Sequence, residues 1–459
     1  MKILLVKPRN KEIKITTQPL GLMYLSSYLK NKGYSEVKII DMAFISKKKL
    51  LEILSDFKPD MVGLSSIISE SKETHKIARI IKSYLKKCFI AAGGHYPTSL
   101  PYECLKDSNI DFIICGEGEK SFFNLVDNLS KNKEINSLNG VWLRNKDRII
   151  NNGISDLEDI LDSLPKPDRE GIILKDYSKF VPHTPILYGL EYADMITSRG
   201  CPFDCVFCHN LMGKKFRSHS PERVVSEILD IKSKYDINNI EIIDDIFNFE
   251  IDRAKKILNM IIDLNINVNL YICGIRIDLL DEETINLMKK AGVRYAGCGL
   301  ETGSDKLQKI IKKNLNLKKF KENTDNLYKN KIFVTAGIIF GFKEENIKTF
   351  IETLIYVLKL KIHSIMTAGL RIYPGTQLSN NDKDLISAKN DKGLYTDYFS
   401  SHMPLKRNIK TSVQKYLLNV FFYINPHRIY IIFRDLPEKN IRILKLLFVK
   451  FIKRILLIR

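Results

Sequence analysis

Cys201, Cys205 and Cys208 stand at C-x3-C-x2-C spacing within Cys201-Pro202-Phe203-Asp204-Cys205-Val206-Phe207-Cys208. Three closely spaced thiolates can hold three of the four irons of a cubane iron–sulfur cluster. The fourth iron then lacks a protein ligand and can take a substrate or cofactor, so the loop is reactive and not only structural. Three is an odd number for disulfides. A zinc site needs a fourth ligand, and His209 is the next residue in the chain. On this loop alone, iron–sulfur and zinc both stay open.

The rest of the chain must position that loop. The chain has 459 residues, 44% of them hydrophobic, enough for about two or three globular domains. Eight cysteines spread over this length exclude a secreted disulfide scaffold. The start, Met1–Lys7, has too short an apolar run for a secretory signal, so a reducing cytosol is expected. Lys plus Arg number 73 against 53 for Asp plus Glu, a net charge of +20. Such a balance suits nucleic acid, an anionic membrane surface or acidic substrates. A Lys-, Asn- and Ile-rich genome would explain it equally. No fixed-period repeat is present, which excludes solenoids.

Residues 1–135 alternate apolar strand candidates with helical periodicity. The strands are Lys2–Lys7, Val37–Asp41, Asp60–Ser65, Phe89–Ala92 and Asp111–Cys115. This pattern predicts a doubly wound parallel α/β sheet, whose ligands bind at the carboxyl ends of the strands. Those ends carry Ser65, then Gly93-Gly94-His95, then Gly116-Glu117-Gly118. Glycines there let backbone approach a bulky ligand. From 136 to 189 the periodicity weakens around Leu164-Pro165-Lys166-Pro167-Asp168, which reads as a linker; Trp142 reads as core packing in a strand.

From 190 to 405, six strand candidates recur between helices: Ala193–Ser198, Asn239–Asp244, Val268–Gly274, Arg294–Leu300, Val334–Phe340 and Ser364–Arg371. Six units are too few for a closed eight-fold barrel. Barrel chemistry sits at the carboxyl ends of the strands, and the unusual residues gather there. They are the Asp244-Asp245 pair, Arg276, Glu301 in Gly299-Leu300-Glu301-Thr302-Gly303, Gly337 and Gly341, and Tyr373-Pro374-Gly375-Thr376. For the Asp pair, helix capping is an equal reading.

In its cysteine spacing, with Phe207 before the last cysteine, the chain resembles the radical S-adenosylmethionine (SAM) enzymes. The glycine, glutamate and Tyr-Pro-Gly-Thr fragments follow that family's order, with Lys343 where relatives usually carry proline. Residues 1–135 resemble the cobalamin-binding, Rossmann-like domain fused to part of that family. The first loop, Pro8–Glu12, has no histidine to ligate cobalt, as in that subgroup. The resemblance implies a partial (β/α)6 TIM-type barrel over 190–405. It implies a 4Fe-4S cluster on Cys201, Cys205 and Cys208, whose open iron binds SAM. Phe207, Asp244, Arg276, Glu301, Gly337, Gly341 and Tyr373 would line the SAM site. Ser65, Gly93, Gly94, His95, Gly116, Glu117 and Gly118 would line cobalamin.

Residues 406–459 follow another rule, mixing Ile, Leu and Phe with Lys and Arg. No run reaches the ~20 apolar residues of a membrane span. A basic amphipathic tail can lie on an anionic membrane or pack on the barrel. The resulting expectation is a cytoplasmic enzyme, with peripheral membrane contact through this tail. Its reaction would be cobalamin-assisted methyl transfer to an unactivated carbon of a small, lipid-like molecule. A flavodoxin or ferredoxin would supply electrons, and no nucleic acid is expected. Two alternatives compete: a radical SAM cyclase or rearrangement enzyme whose first domain lacks cobalamin, and a zinc-loop protein that binds nucleic acid.

Overall fold

A computed structural model describes residues 1–10, 15–146, 148–209, 212–381 and 405–436. The chain divides into two compact units. The first comprises Met1–Leu174, His209–Gly213 and Ser379–Ser400, and the second the remainder.

In the first unit, five parallel strands alternate with helices. They are β1 (Ile3–Lys7), β2 (Val37–Asp41), β3 (Met61–Ser65), β4 (Phe89–Gly93) and β5 (Phe112–Ile114). The helices are α1 (Leu20–Asn31), α2 (Lys47–Phe57), α3 (Ser71–Tyr84), the short α4 (His95–Ser99) and α5 (Pro101–Leu105), and α6 (Gly118–Ser130). Ile3, Leu4, Leu5 and Val6 are completely buried; such an unbroken apolar run suits a parallel strand covered on both faces. The strand order is β2-β1-β3-β4-β5, so the order reverses between β1 and β3. That switch point is where open α/β sheets bind ligands.

Residues read as a linker from 136 onward do more than connect. β6 (Val141–Asn145) and β7 (Arg148–Ile150) add antiparallel strands beyond β5. Trp142 packs in β6, and its indole N–H donates to Gly153 O at 2.7 Å. Two short antiparallel strands lack the helix-sized spacing that made the earlier units legible.

In the second unit, six parallel strands lie in the order β8-β11-β12-β13-β14-β15. They are β8 (Ala193–Met195), β11 (Asn239–Ile242), β12 (Asn269–Ile272), β13 (Val293–Glu301), β14 (Phe333–Phe340) and β15 (Ser364–Gly369). Strands β9 (Ser198–Arg199) and β10 (Arg217–Ser218) pair antiparallel across the base of the cysteine loop. The helices are α7 (Pro221–Tyr235), α8 (Ile251–Asp263), α9 (Glu282–Lys290), α10 (Asp305–Ile310), α11 (Leu317–Lys329), α12 (Ile347–Lys359) and α13 (Gln377–Asn381). Their starts are legible in sequence: the Ser220 hydroxyl accepts from Arg223 N–H ahead of Pro221, and Asp281 accepts from Thr284 N–H. This is the open six-unit α/β barrel expected.

Helices α14 (Leu405–Tyr423) and α15 (Pro426–Asp435) pack on the β15 edge. Asn419 donates to Thr367 Oγ1 at 2.8 Å, and Arg428 to Ile362 O at 2.7 Å. His363 and Asp435 are wholly buried and 2.9 Å apart. Over its described part the tail therefore packs on the barrel; residues 437–459 lie outside the described residues. No described helix is long and apolar enough to cross a membrane.

Candidate functional site

Gly200 takes φ 82°, a conformation open to glycine, and turns the chain from β9 into the cysteine loop. Three backbone hydrogen bonds of 3.1 Å hold the loop. Cys208 N–H donates to Cys205 O, Val206 N–H to Ile311 O, and Leu378 N–H to Val206 O. Phe207 packs with Val206 and Ile339 against the buried cluster of Ile311, Phe342 and Leu370. Its ring meets Phe342 edge-on at 5.9 Å. The aromatic before the last cysteine thus anchors the loop to the end of β14.

Cys201 and Cys205 are half-buried, and Cys208 is exposed as a residue. Protein crowding around the sulfurs raises all three thiols. Cys208 reaches about 12, with Cys205 and Cys201 adding to the effect of burial. Lys313 and Arg276 pull Cys201 and Cys205 back toward the thiolate, while Asp245 raises Cys201 and Cys208. Among the described residues no three His, Cys, Asp or Glu side chains form a cage for a single metal ion. Thiolates on one zinc lie within about 4 Å of each other, given bonds of about 2.3 Å. A cubane spreads its thiolates over separate irons. Three thiols that influence one another electrostatically, flanked by two cations, fit that cluster in charge and softness.

Arg276 is committed twice. It grips Asp278 through two bonds of 2.9 Å, and its guanidinium lies 4.0 Å from the Phe203 ring centroid. It thereby ties the cysteine loop to the segment after β12. Of the acid pair, Asp244 is buried and accepts from Thr197 N–H at 2.6 Å, Thr197 Oγ1 at 2.5 Å and Ser198 Oγ at 2.7 Å. Both its oxygens fix the strand entering the cysteine loop. Asp245 is the acid whose charge reaches Cys201 and Cys208. Its own carboxyl is raised by burial and by Asp244, with Gly200 N–H opposing.

Glu301 sits at φ 62°, strained for a non-glycine residue, and forms a buried ion pair with Lys313 at 2.6 Å. A Cβ on Gly299 would collide with both partners, so glycine is required beneath them. Burial lowers the Lys313 ammonium, but Glu301 and Cys205 outweigh it and the net shift is upward. The following turn is held from α12: Thr353 Oγ1 accepts from Gly303 N–H at 3.1 Å and lies 2.8 Å from Thr302 Oγ1. Gly341, at φ 101°, donates its N–H to Glu345 Oε2 at 2.6 Å. Gly337 lies mid-β14 against Cys298 and Gly299. Tyr373 O closes its turn by accepting from Thr376 N–H at 3.2 Å.

In the first unit the loops after β3 and β4 interlock. Ser66 N–H donates to Gly93 O, and Tyr96 N–H to Ser66 O, both at 3.0 Å. Gly94 has φ 89°, and a Cβ there would press on Ser66 O and Ser65 Oγ. Ser66 Oγ is buried without a hydrogen-bond partner, an orphan that a polar ligand group would satisfy. Gly116 N–H donates to Thr98 Oγ1 at 3.1 Å, which joins the third loop to the second. Glycine backbone and this orphan hydroxyl at the switch point fit a large cofactor such as cobalamin. Glu117 is turned elsewhere, accepting from Glu158 N–H at 3.1 Å; Gly118 packs on Leu25. Burial, with His209 adding, lowers His95 to about 4, so its ring is neutral at pH 7. His209 Nε2 lies 2.7 Å from Ser99 Oγ, and its ring 5.6 Å from that of His95.

Sequence reasoning missed Lys313, Glu345, Thr353 and Ser66. Lys313 looks like part of a solvated run with Lys312. The threonine and serine carry no signal until their partners are known.

Residues 195–357 match the radical SAM superfamily, and residues 6–126 match the B12 binding domain. The two matches place a radical SAM domain behind a B12 binding domain in one chain. It is 28% identical to an uncharacterized methyltransferase of Pyrococcus horikoshii, over 97% of this chain and 96% of that one. Its fold is similar to that of OxsB, a cobalamin-dependent SAM radical enzyme solved with aqua-cobalamin and SAM bound, with TM-score 0.76 and 18% identity over 94% of this chain and 70% of that one. It is also similar in fold to TsrM of Kitasatospora setae, a radical SAM methyltransferase, with TM-score 0.71 and 18% identity over 84% and 77% of the two chains. The zinc-loop, nucleic-acid reading loses its ground: the loop falls within the radical SAM match, and Ser99 takes up His209.

Proposed function

We propose that this chain is a cobalamin-dependent radical SAM enzyme that methylates an unactivated carbon of a small molecule. The observation that carries this reading is the pairing of two matched domains in one chain. One presents three cysteines at the first strand of an open parallel barrel. The other presents glycine-rich loops and an orphan hydroxyl at its switch point. When bound, the cluster supplies the electron that splits SAM into methionine and a 5′-deoxyadenosyl radical, and cobalamin supplies the methyl group.

The chain's own residues bind and orient. Cys201, Cys205 and Cys208 hold the cluster. Arg276 and Asp278 fix Phe203, and Asp244 fixes the strand entering the loop, so the thiols keep one arrangement. Phe207, Ile339 and Phe342 offer an apolar surface near Gly341 that would take adenine, and Tyr373 would line the same site through its Tyr-Pro-Gly-Thr turn. Glu301 and Lys313, paired with each other, would set the polarity beside the amino and carboxylate groups of SAM. Ser65, Ser66, Gly93, Gly94, His95 and the Gly116–Gly118 turn hold cobalamin, with Glu117 bracing that turn. A flavodoxin or ferredoxin serves as reductant. The substrate is lipid-like and the enzyme works in the cytoplasm at a membrane surface, a reading supported by the basic, apolar C-terminal helices.

The test is anaerobic reconstitution followed by electron paramagnetic resonance and assay of 5′-deoxyadenosine. Cys201→Ser, Cys205→Ser and Cys208→Ser each lose the reduced-cluster signal and deoxyadenosine formation. Turnover of SAM that survives all three replacements rejects the mechanism.

A further inference from the structure

Two helices at the β15 edge turn part of their apolar surface outward. On α12 the buried residues include Thr349 and Thr353, whereas Ile347, Ile351 and Ile355 are between 45% and 74% exposed. These isoleucines recur every four residues and so form one stripe. α14 buries Thr411, Gln414 and Asn419 together with Leu418 and Phe422, while its Phe421, Ile424 just after it and Phe433 of α15 are between 48% and 68% exposed. Three of the polar residues turned inward have partners: Thr349 Oγ1 donates to Asn346 O, Thr353 holds the Glu301–Gly303 turn, and Asn419 holds Thr367. That accounts for polar groups inside and leaves apolar groups outside without a reason in water. Single exposed apolar residues need no explanation, but a surface of them marks an interaction site.

The charge on this surface is mostly positive; the one acid of α12, Glu352, is half-buried and accepts from Ser304 Oγ. Residues 405–436 contain six Lys or Arg against one acid, Asp435; that acid and Arg428 are both buried, which leaves five cations. Lys348 and Lys359 flank the isoleucine stripe at exposed positions. An apolar face rimmed by cations matches an anionic lipid surface, where acyl boundary and headgroup charge are both satisfied. None of the described helices can cross a membrane, so the face lies on it.

We infer that the outer faces of α12, α14 and α15 form a docking surface for an anionic membrane. The inference deepens the lipid-like reading of the substrate, because the helix that seats the Glu301–Gly303 turn from one side meets the bilayer with the other. Docking itself does not depend on the radical chemistry.

The experiment uses the full chain and sedimentation with vesicles of phosphatidylglycerol and phosphatidylcholine, or of phosphatidylcholine alone. The protein binds the anionic vesicles, is released by salt, and ignores the neutral ones. An Ile351→Glu, Phe421→Glu double variant, and separately Phe433→Ser, keep the native melting temperature. The double variant binds at least about tenfold more weakly, as expected when two apolar anchors are lost. Failure of the native chain to bind, or equal binding by the double variant, overturns the proposal. So does a concentration-dependent dimer that the variant splits, which would make a second copy the occupant. Deoxyadenosine formation in vesicle-free buffer stays native in these variants, so failure of docking is separable from failure of the proposed chemistry.

Discussion

At the scale of single residues, the ionisable groups near the candidate sites are governed by burial first and by partners second. Glu70 sits just beyond the serine loop, 6% exposed, and accepts from Ile67 N–H at 3.2 Å. Burial raises its carboxyl from 4.5 to about 7, against the pull of Lys7. Between those two values the folded chain keeps a proton that the unfolded chain gives up. Stability therefore falls as pH rises through that window and stays lowered above it. The full effect is on the order of 3 kcal/mol. Glu70→Gln keeps an acceptor for Ile67 and removes the penalty. It should stabilise the protein by about 1–3 kcal/mol at pH 8 and leave it unchanged near pH 4.5. Urea unfolding at the two pH values checks this; equal effects at both would show that the residue is not buried as described. The Lys313–Glu301 pair is the opposite case, since each charge is compensated in place and Gly299 leaves room for both.

At the scale of elements, α12 and α14 show why helical periodicity misleads near a functional turn. Thr353 on α12 and Asn419 on α14 serve the Glu301–Gly303 turn and the edge strand, so polar side chains share the buried side with Val357, Leu418 and Phe422. Helix α15 is fixed by Arg428 on Ile362 O and by the buried contact of His363 with Asp435, which Arg434 also grips. Burial raises the Asp435 carboxyl, but hydrogen bonds from His363 and Arg434 outweigh it and bring it to about 2. Its stabilisation is therefore present above the ordinary value of 3.8 and is lost as pH falls toward 2. Asp435→Ala strands His363 without its partner and should cost about 3 kcal/mol. Hydrogen exchange should quicken across Pro426–Asp435; unchanged exchange there would mean that Arg428 and apolar packing hold α15 without the His363–Asp435 contact.

At the scale of the whole molecule, each of the two units carries its own candidate site, so ligand effects should be separable by unit. A ligand held only by the folded first unit adds about 2.7 kcal/mol to that unit at 100 times its dissociation constant. Hydroxocobalamin should therefore raise one calorimetric transition. Gly94→Ala, which presses a methyl group onto Ser65 and Ser66, should abolish that increment while SAM binding persists. A transition unmoved by hydroxocobalamin would favour an empty first domain.

The chain by itself determined the strand and helix sequence of both units, because alternating apolar runs and helical stripes are local properties. It also determined the three thiols and the glycines at strand ends, since those residue types have few other uses at such positions. Only the tertiary structure decided which acid of Asp244-Asp245 is spent on the strand and which faces the thiols. It alone paired Lys313 with Glu301 across 12 positions, added β6 and β7 to the first sheet, and turned isoleucines outward on α12. Each depends on what lies opposite once the chain has closed, and burial and partnership are properties of pairs that no single stretch contains.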